Sequence, residues 1–298
     1  MPTIEVRTPA GWRDFELLDT GNGARLERYG PYTLVRPEPQ ATWRPYLSQN
    51  RWDDADAIFR RAHEASDGHW HLRRPIPEQW LMQYDDLTFY ARLTPFRHTG
   101  VFPEQAEHWR WIREQIRRAR RPVNILNLFG YTGLTTLAAA AAGASVCHVD
   151  ASPKIIEWAK ENQAASGLAS KPVRWIVDDA LKFVRREIRR GVRYDGIIMD
   201  PPAFGRGPKG EVWKFESGLP ALLTACREIL SPQPLFLLVN AYAIRASALM
   251  LYNALEDILK PLGGHLAVGE LTLTETSHKR PLSTAIYGRW SHEPPASP

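Results

Sequence analysis

The sequence predicts an α/β fold in which a doubly wound, mostly parallel, seven-stranded sheet follows a small β-rich N-terminal region. From residue 123 onward, short apolar runs alternate with helical segments of about the length that a parallel crossover requires. Before about residue 95 the chain is instead rich in Trp, Pro and Arg, with strand-like runs separated by turn residues. Because ligands of a doubly wound sheet bind beyond the carboxyl ends of its strands, we expect the functional residues there.

The composition is that of a soluble globular protein, with 298 residues, 44% hydrophobic and 24% charged. The longest apolar run, residues 134–147, is Ala-rich and too short to span a bilayer, and the N-terminus lacks the apolar core of a secretory signal. Two cysteines are too few for a disulfide framework or a thiolate zinc site, and the histidines form no metal-binding pattern. We therefore expect a cytoplasmic protein with no membrane and no metal partner.

The elements follow from local patterns along the chain. In the N-terminal region, the strand-like runs are residues 13–18, 33–35 and 87–93. A helix at residues 104–120, with Trp109, Ile112 and Ile116 at helical spacing, leads into the second half. The strands predicted for the sheet are residues 123–128, 145–149, 173–177, 196–199, 235–239, 265–271 and 284–290.

The first strand of the sheet ends in a glycine-containing segment, residues 127–133, before an Ala-rich helix. Glycines there permit a sharp turn and a close approach of the backbone to a ligand. Leu128 replaces the first glycine of a dinucleotide fingerprint, so a cofactor without a pyrophosphate is favoured over a nicotinamide cofactor. The candidate cofactor-binding residues of this segment are Asn127, Phe129, Gly130, Thr132 and Gly133.

Carboxylates follow the next two strands. Asp150 can accept both hydroxyl hydrogens of a ribose, and Ser152 before Pro153 is typical of a helix N-cap, so both are assigned to the cofactor site. After the third strand, Asp179 is the predicted acceptor for an adenine amino group. Asp178, or a plain helix cap at Asp179, is the alternative.

The fourth strand is followed by Asp200-Pro201-Pro202-Ala203-Phe204. Prolines donate no backbone hydrogen bond and keep the chain extended, so the Asp200 carboxylate and the Pro201 carbonyl become fixed acceptors for the N–H groups of a base. Phe204 offers a stacking face. The predicted catalytic residues are Asp200, Pro201, Pro202 and Phe204, and the alternative is a rigid exit from the strand.

These motifs, in this order, resemble the class I S-adenosylmethionine-dependent methyltransferases, and more narrowly the bacterial 23S ribosomal-RNA large-subunit group of cytosine-C5 and guanine-N7 enzymes. The resemblance covers residues 94–290 and is most specific at residues 99–105, 127–133 and 200–204. It implies a Rossmann-like methyltransferase fold, S-adenosyl-L-methionine as cofactor, RNA as substrate and cofactor contacts from Phe102 and Gln105. The predicted domains are residues 1–95, which would present substrate, the methyltransferase domain at 96–293, and a tail at 294–298.

One departure from that group concerns the reaction. Its C5 members carry a catalytic cysteine just after the fifth strand, where this chain has Val239-Asn240-Ala241-Tyr242. Carbon C5 needs a thiolate to activate it, and Cys147 and Cys226 are predicted to be core residues. A nitrogen target needs only alignment of its lone pair, so we expect methylation of a base nitrogen by direct transfer, with Asn240 contacting the substrate.

Residues 205–214 are predicted to form a mobile lid that grips RNA through Arg206, Lys209 and Trp213, the alternative being a flexible solvent-facing loop. The net charge of +5 and the basic stretches at residues 113–121 and 185–193 are compatible with RNA or with solvated helix faces. Two further hypotheses remain at this point: a methyltransferase acting on a small molecule or protein, and a non-catalytic RNA-binding protein of the same fold.

Overall fold

The computed structural model describes residues 2–61, 68–242 and 244–292. The chain forms two compact units: unit 1 comprises Met1–Arg7, Glu107–Leu271 and Thr284–Pro298, and unit 2 comprises Thr8–Ala106 and Thr272–Ser283. The boundary predicted near residue 95 lies inside unit 2, which also takes in a segment from the C-terminal part of the chain. The predicted tail, residues 294–298, lies outside the described residues.

The described residues form strands, helices and two short 3₁₀ turns, at Pro103–Gln105 and Lys260–Leu262. The strands are β1 (Ile4–Arg7), β2 (Phe15–Gly21), β3 (Ala24–Tyr29), β4 (Tyr32–Pro37), β5 (Ala57–Arg61), β6 (Gly68–Leu72), β7 (Trp80–Tyr84), β8 (Leu87–Ala91), β9 (Asn124–Leu128), β10 (Ser145–Asp150), β11 (Val173–Val177), β12 (Gly196–Met199), β13 (Phe204–Arg206), β14 (Val212–Lys214), β15 (Phe236–Tyr242), β16 (His265–Thr274) and β17 (Pro281–Ser291). The helices are α1 (Gln49–Asp53), α2 (Ala106–Ala119), α3 (Leu134–Ala141), α4 (Pro153–Ala165), α5 (Ala180–Arg190), α6 (Phe215–Glu228) and α7 (Ala248–Leu259).

The main sheet confirms the predicted doubly wound, mostly parallel architecture. Its strand order is β1-β16-β17-β15-β12-β9-β10-β11. β9 pairs in parallel with both β10 and β12, β12 continues in parallel to β15, and β17 lies antiparallel to β15. The chain first winds outward from β9 through β10 to β11 and then returns to β12 on the other side. The carboxyl ends of β9 and β12 therefore flank the switch point at which such sheets bind ligands.

The sheet has eight strands, so the predicted number of seven was wrong by one. The additional strand is β1, which pairs in parallel with β16 through Ile4 opposite Val268 and Arg7 opposite Leu271. Its apolar side chains are exposed, 46% for Ile4 and 64% for Val6. An edge strand without a buried face leaves no hydrophobic pattern strong enough to identify it from sequence.

Both faces of the central strands are buried, which explains their continuous apolar runs. Leu126, Ile197 and Leu237 belong to one hydrophobic cluster, whereas Ile125 of the same first strand belongs to another. The second cluster contains Ile198 and Leu238 together with the small side chains of α3. Helices thus cover both faces of the central strands, and a site is expected at the strand ends.

Unit 2 confirms the predicted β-rich character of the N-terminal region, although β1 belongs to unit 1. It contains a five-stranded sheet, β2-β3-β4-β5-β6, and the hairpin β7-β8. Inside it, Arg36 donates two hydrogen bonds to Glu27, at 2.7 and 2.8 Å, and one to the hydroxyl of Tyr29 at 2.6 Å. No helix among the described residues is long and apolar enough to cross a membrane.

Candidate active site

The segment after β9 adopts a backbone conformation that few side chains tolerate. Phe129 and Tyr131 have φ values of 54° and 50°, in the left-handed region, and Gly133 has a φ of 84°. Such conformations in non-glycine residues cluster at ligand sites, where the surrounding structure enforces them. Gly130 must be glycine, because a Cβ there would lie 2.3 Å from the His148 ring.

A buried polar network supports this loop from below. Asn127 Nδ2 donates to Thr136 Oγ1 at 2.9 Å, and Thr136 Oγ1 lies 2.9 Å from Nδ1 of His148. Burial lowers the pKa of His148 to about 3, so its ring is neutral. Asn127 therefore acts as a support of the loop; its direct contact with a cofactor stays a prediction, as does that of Thr132, whose carbonyl accepts from Asn162 at 2.9 Å.

Asp150, at the end of β10, is held by backbone groups. One carboxylate oxygen accepts from Tyr131 N at 3.0 Å and the other from Ser152 N at 2.9 Å. Burial raises the pKa of Asp150, although the backbone N–H groups act in the opposite direction. Each oxygen keeps a further lone pair, so the carboxylate can still accept two hydroxyl hydrogens of a ribose. This donor and acceptor set fits a nucleoside cofactor.

The residues at the next two helix starts act as caps. Ser152 is the N-cap of α4, as predicted, and its hydroxyl accepts from Ile155 N at 3.4 Å. Asp179 caps α5 by accepting from Lys182 N at 2.9 Å. Asp178 accepts from Asp179 N at 2.9 Å and from the Arg186 guanidinium at 2.6 Å. The cap named as an alternative for Asp179 is therefore present, and its contact with adenine stays a prediction.

Asp200 occupies the matching position at the end of β12. Its backbone N–H donates to Leu128 O at 3.4 Å, and its Oδ1 accepts from Asn240 Nδ2 at 2.7 Å. Burial raises the pKa of Asp200 to about 6, and the Asn240 hydrogen bond opposes this only in part. Asp200 is thus ionised at neutral pH but is a much stronger base than an ordinary aspartate. The structure thus brings Asp200 and Asn240 together. Their predicted action on the substrate stays a prediction.

The segment predicted as a mobile lid is a hairpin, in which β13 pairs antiparallel with β14. Gly207 N donates to Glu211 O at 2.8 Å across its turn, and Gly210 has a φ of 86°. Phe204, Arg206, Val212 and Lys214 are exposed and occupy paired positions, Phe204 opposite Lys214 and Arg206 opposite Val212, so they share one face. Lys209 is exposed in the turn. Val212 was not singled out from sequence, because the alternation of residues 212–214 is too short to indicate a strand.

Trp213 lies on the opposite face of this hairpin and is only 6% exposed. Its indole N–H donates to Pro202 O at 2.7 Å, and its ring lies 5.0 Å from that of Phe129. A buried indole whose N–H is already bonded offers no open face to a base, so the predicted contact of Trp213 with RNA stays a prediction. Trp213 instead ties the Pro202 segment to the glycine loop, while Pro201 is buried and Phe204 is 55% exposed.

Both cysteines are buried, as predicted. Burial raises the pKa of the Cys147 thiol to about 11 and that of Cys226 still further. The thiols are therefore protonated at neutral pH, and neither belongs to the segment that follows β12 or β15. Among the described residues there is also no group of three or more potential metal ligands.

Phe102 and Gln105 belong to unit 2, at the 3₁₀ turn that precedes α2. The Phe102 ring lies 5.2 Å from that of His98, and Gln105 is buried, with its N–H donating to Phe102 O at 3.0 Å. Their contact with a cofactor stays a prediction.

Comparisons with known proteins agree with this geometry. A family model described as S-adenosylmethionine-dependent methyltransferase matches residues 39–257. A solved structure of an S-adenosylmethionine-dependent methyltransferase from Agrobacterium tumefaciens is 47% identical, with a TM-score of 0.93, over 98% of this chain and 95% of that one. A similar structure from Streptococcus mutans, 17% identical with a TM-score of 0.73 over 95% of this chain and 76% of that one, shares the fold.

Two curated relatives are named as ribosomal-RNA methyltransferases. The large-subunit methyltransferase K/L of Psychrobacter is 31% identical over 176 residues, which are 58% of this chain and 20% of that protein. The large-subunit methyltransferase K of Neisseria meningitidis is 24% identical over 63% of this chain and 54% of its own length. This chain therefore spans only part of the curated relatives that it matches.

Proposed function

Because this chain belongs to the S-adenosylmethionine-dependent methyltransferase family, we propose that it methylates a nitrogen of a base in RNA, with ribosomal RNA as the favoured substrate. The observation that carries the proposal is the Asp200 carboxylate. It stands at the switch point of the sheet, has a pKa raised to about 6, and precedes an exposed aromatic side chain, Phe204. The names of the ribosomal-RNA relatives support the substrate class.

The residues after β9 and β10 would hold the cofactor. Asp150 would accept the ribose hydroxyls through the lone pairs that its backbone donors leave available. The loop from Phe129 to Gly133 would bring the backbone close to the cofactor, since its left-handed residues turn the chain sharply. When bound, S-adenosylmethionine supplies an electrophilic methyl group on a sulfonium.

Asp200 and its neighbours would position the acceptor nitrogen. An amino or ring N–H of the base donates to the Asp200 carboxylate and to the Pro201 carbonyl, which directs the nitrogen lone pair toward the methyl group. The acceptor nitrogen would form the new N–C bond, and the cofactor, which would supply the methyl group, would keep the electron pair of its S–C bond. A nitrogen that began with an N–H then loses that proton to Asp200, whose pKa of about 6 makes it a better acceptor than an ordinary aspartate.

The absence of a cysteine from residues 239–242 supports a nitrogen rather than carbon C5 as the target. The outer face of the β13-β14 hairpin supports RNA as the substrate. It alternates Phe204 and Val212 with Arg206 and Lys214, so apolar surface for a base lies beside cations for phosphates.

The test uses the full chain, S-adenosylmethionine labelled in its methyl group, and protein-free large-subunit ribosomal RNA. Digestion to nucleosides and mass spectrometry locate the label. We expect it on a base nitrogen, and we expect Asp200→Ala to lower turnover by about 100-fold or more. Glu216→Ala, which removes an exposed carboxylate from the first turn of α6, is the matched control and should retain activity.

Label on a ring carbon would contradict nitrogen transfer. Wild-type turnover by Asp200→Ala would remove Asp200 from the reaction. Intact cofactor binding without transfer to RNA, together with transfer to a protein or a small molecule, would replace the substrate class but keep the enzyme class.

A further inference from the structure

Asn240 lies near a second buried polar side chain besides Asp200. While its Nδ2 donates to Asp200, Asn240 lies opposite Tyr287 in the pairing of β15 with β17, and the His108 ring, on α2, packs 5.3 Å from the Tyr287 ring. Asn240 Oδ1 and His108 Nε2 are both buried, and neither atom has a hydrogen-bond partner within the described part of the chain. An amide oxygen is an acceptor and a protonated ring nitrogen is a donor, so the two atoms are complementary and a small adjustment of either side chain would join them.

Arg289, on β17, decides where the proton of His108 resides. Its guanidinium Nε donates to His108 Nδ1 at 3.0 Å, and its Nη2 lies 2.6 Å from the same atom. A guanidinium has donors only, so Nδ1 must be the acceptor. Burial and the charge of Arg289 lower the pKa of His108 well below its ordinary value, so the ring is neutral. Its single proton consequently lies on Nε2, facing Asn240.

The orientation of the Asn240 amide follows from this tautomer. The oxygen and nitrogen ends of an asparagine amide have nearly the same shape, so only hydrogen bonds decide which end points where. The N–H at His108 Nε2 requires the amide oxygen, and this leaves the amide nitrogen toward Asp200. A reversed amide would place an oxygen against the carboxylate and an N–H against another N–H.

The Arg289 guanidinium is held by several neighbouring side chains. The Arg289 guanidinium lies 3.6 Å from a Glu107 carboxylate oxygen, 5.2 Å from the Trp111 ring centroid and 4.9 Å from that of Tyr287. The His108 ring meets the Tyr287 ring edge to face at 5.3 Å. Aromatic faces and a carboxylate together fix the guanidinium. All of these groups belong to unit 1.

We propose that His108 and Arg289 are positioning residues, which orient the Asn240 amide so that it donates to Asp200 and keeps that carboxylate an ionised acceptor for the substrate. The four side chains act in the order Arg289, His108, Asn240, Asp200, each orienting the next. The structural part of the proposal concerns only this protein's own side chains, and the effect on turnover rests on the proposed function.

The first measurement is the tautomer of His108, by ¹⁵N NMR of the full chain labelled in histidine and assigned with His108→Gln. We expect the neutral Nε2–H form from about pH 5 to about pH 8, because burial and Arg289 oppose protonation. Arg289→Met should abolish this preference, since no donor then faces Nδ1. An Nδ1–H tautomer or a charged ring in the wild-type protein would overturn the proposal.

The second measurement is the pKa of Asp200, from ¹³C NMR of carboxyl-labelled aspartate. His108→Asn can still accept from Arg289 but is too short to reach Asn240, so the pKa of Asp200 should rise by about one. His108→Gln places an amide donor near the position of Nε2 and should largely restore the wild-type value. Tyr287→Phe keeps the ring beside His108 and removes only a hydroxyl that donates to Glu5, so it is the matched control.

The proposal would be overturned if the pKa of Asp200 were unchanged in a folded His108→Asn variant but raised in Asn240→Ala. If the histidine variants fail to fold, the tautomer of the wild-type protein still decides it. In the RNA assay, His108→Asn should lower kcat by about 10-fold with little change in KM or in the Kd of S-adenosylmethionine. Wild-type turnover by Asp200→Ala would instead remove the proposed function and leave both NMR tests valid.

Discussion

Asp150 and Asp200 lie at the carboxyl ends of β10 and β12 in the same sheet, but different groups hold the two carboxylates. Asp150 accepts from the backbone N–H groups of Tyr131 and Ser152, the second only two residues away. Asp200 accepts from the side chain of Asn240, 40 residues away, and the neighbouring His108 accepts from Arg289. A carboxylate held by backbone is fixed by local chain geometry, whereas one held by side chains depends on distant parts of the fold.

The largest expected effect separates the two carboxylates. Asp200→Asn should lower turnover by about 100-fold or more and leave the Kd of S-adenosylmethionine near its wild-type value, because only the acceptor nitrogen loses its partner. Asp150→Asn should weaken cofactor binding by about 10-fold or more, because an amide cannot accept two hydroxyl hydrogens in the same way. Calorimetry gives the Kd and single-turnover kinetics give the rate. Equal effects of both variants on both quantities would contradict the division of roles.

The raised pKa of Asp200 also predicts how stability depends on pH. The pKa rises from an ordinary 3.8 to about 6 in the folded protein, so ionisation opposes folding, and the stability present below about pH 4 is lost as the pH rises to about 6. Asp200→Asn cannot ionise and should therefore be more stable than wild type at pH 7, by roughly 1–3 kcal/mol. Urea unfolding at several pH values tests this, and the difference should shrink below about pH 4. A difference that stays constant with pH would show that ionisation is not its cause.

A smaller effect on turnover is expected from a substitution at Trp213, which connects the Pro202 segment to the glycine loop. Trp213→Phe removes the N–H that donates to Pro202 O but keeps an aromatic ring near Phe129. We expect turnover to fall by about 3- to 10-fold, since the Pro202 carbonyl loses a fixed donor. Circular dichroism should show an intact fold. Wild-type turnover in the folded variant would mean that the tie does not position the transfer segment.

The smallest effect concerns the outer face of the hairpin. Arg206→Ala and Lys214→Ala should each weaken RNA binding by a few-fold. Each should also make the slope of log K against log[salt] less steep by about 0.7, the value for one contact with a single-stranded phosphate. Gln substitutions at both positions keep side-chain bulk and should behave like the Ala variants. Unchanged salt slopes would place the RNA elsewhere on the surface.

Much of the fold was accessible from sequence, because its central strands are buried on both faces and the helices α4 and α5 begin at recognisable caps. β11 and β12 occupy the predicted residues, and the other predicted sheet strands overlap the observed ones. Ser152 caps α4 as expected. The strand β1 and the hairpin β13-β14 escaped prediction, because β1 has no buried face and the strands of the hairpin are only three residues long, too short for their alternation to form a pattern.

The sequence by itself determined the order of the motifs, and with it the family, the cofactor and the carboxylates at the strand ends. These properties depend on backbone conformation, which glycine, proline and capping residues specify locally. Only the tertiary structure decided that Trp213 is a buried tie and that Arg289 lies against His108, 181 residues away. In sequence they are one aromatic, one arginine and one histidine among many, because hydrogen bonds between side chains on distant strands and helices leave no local pattern.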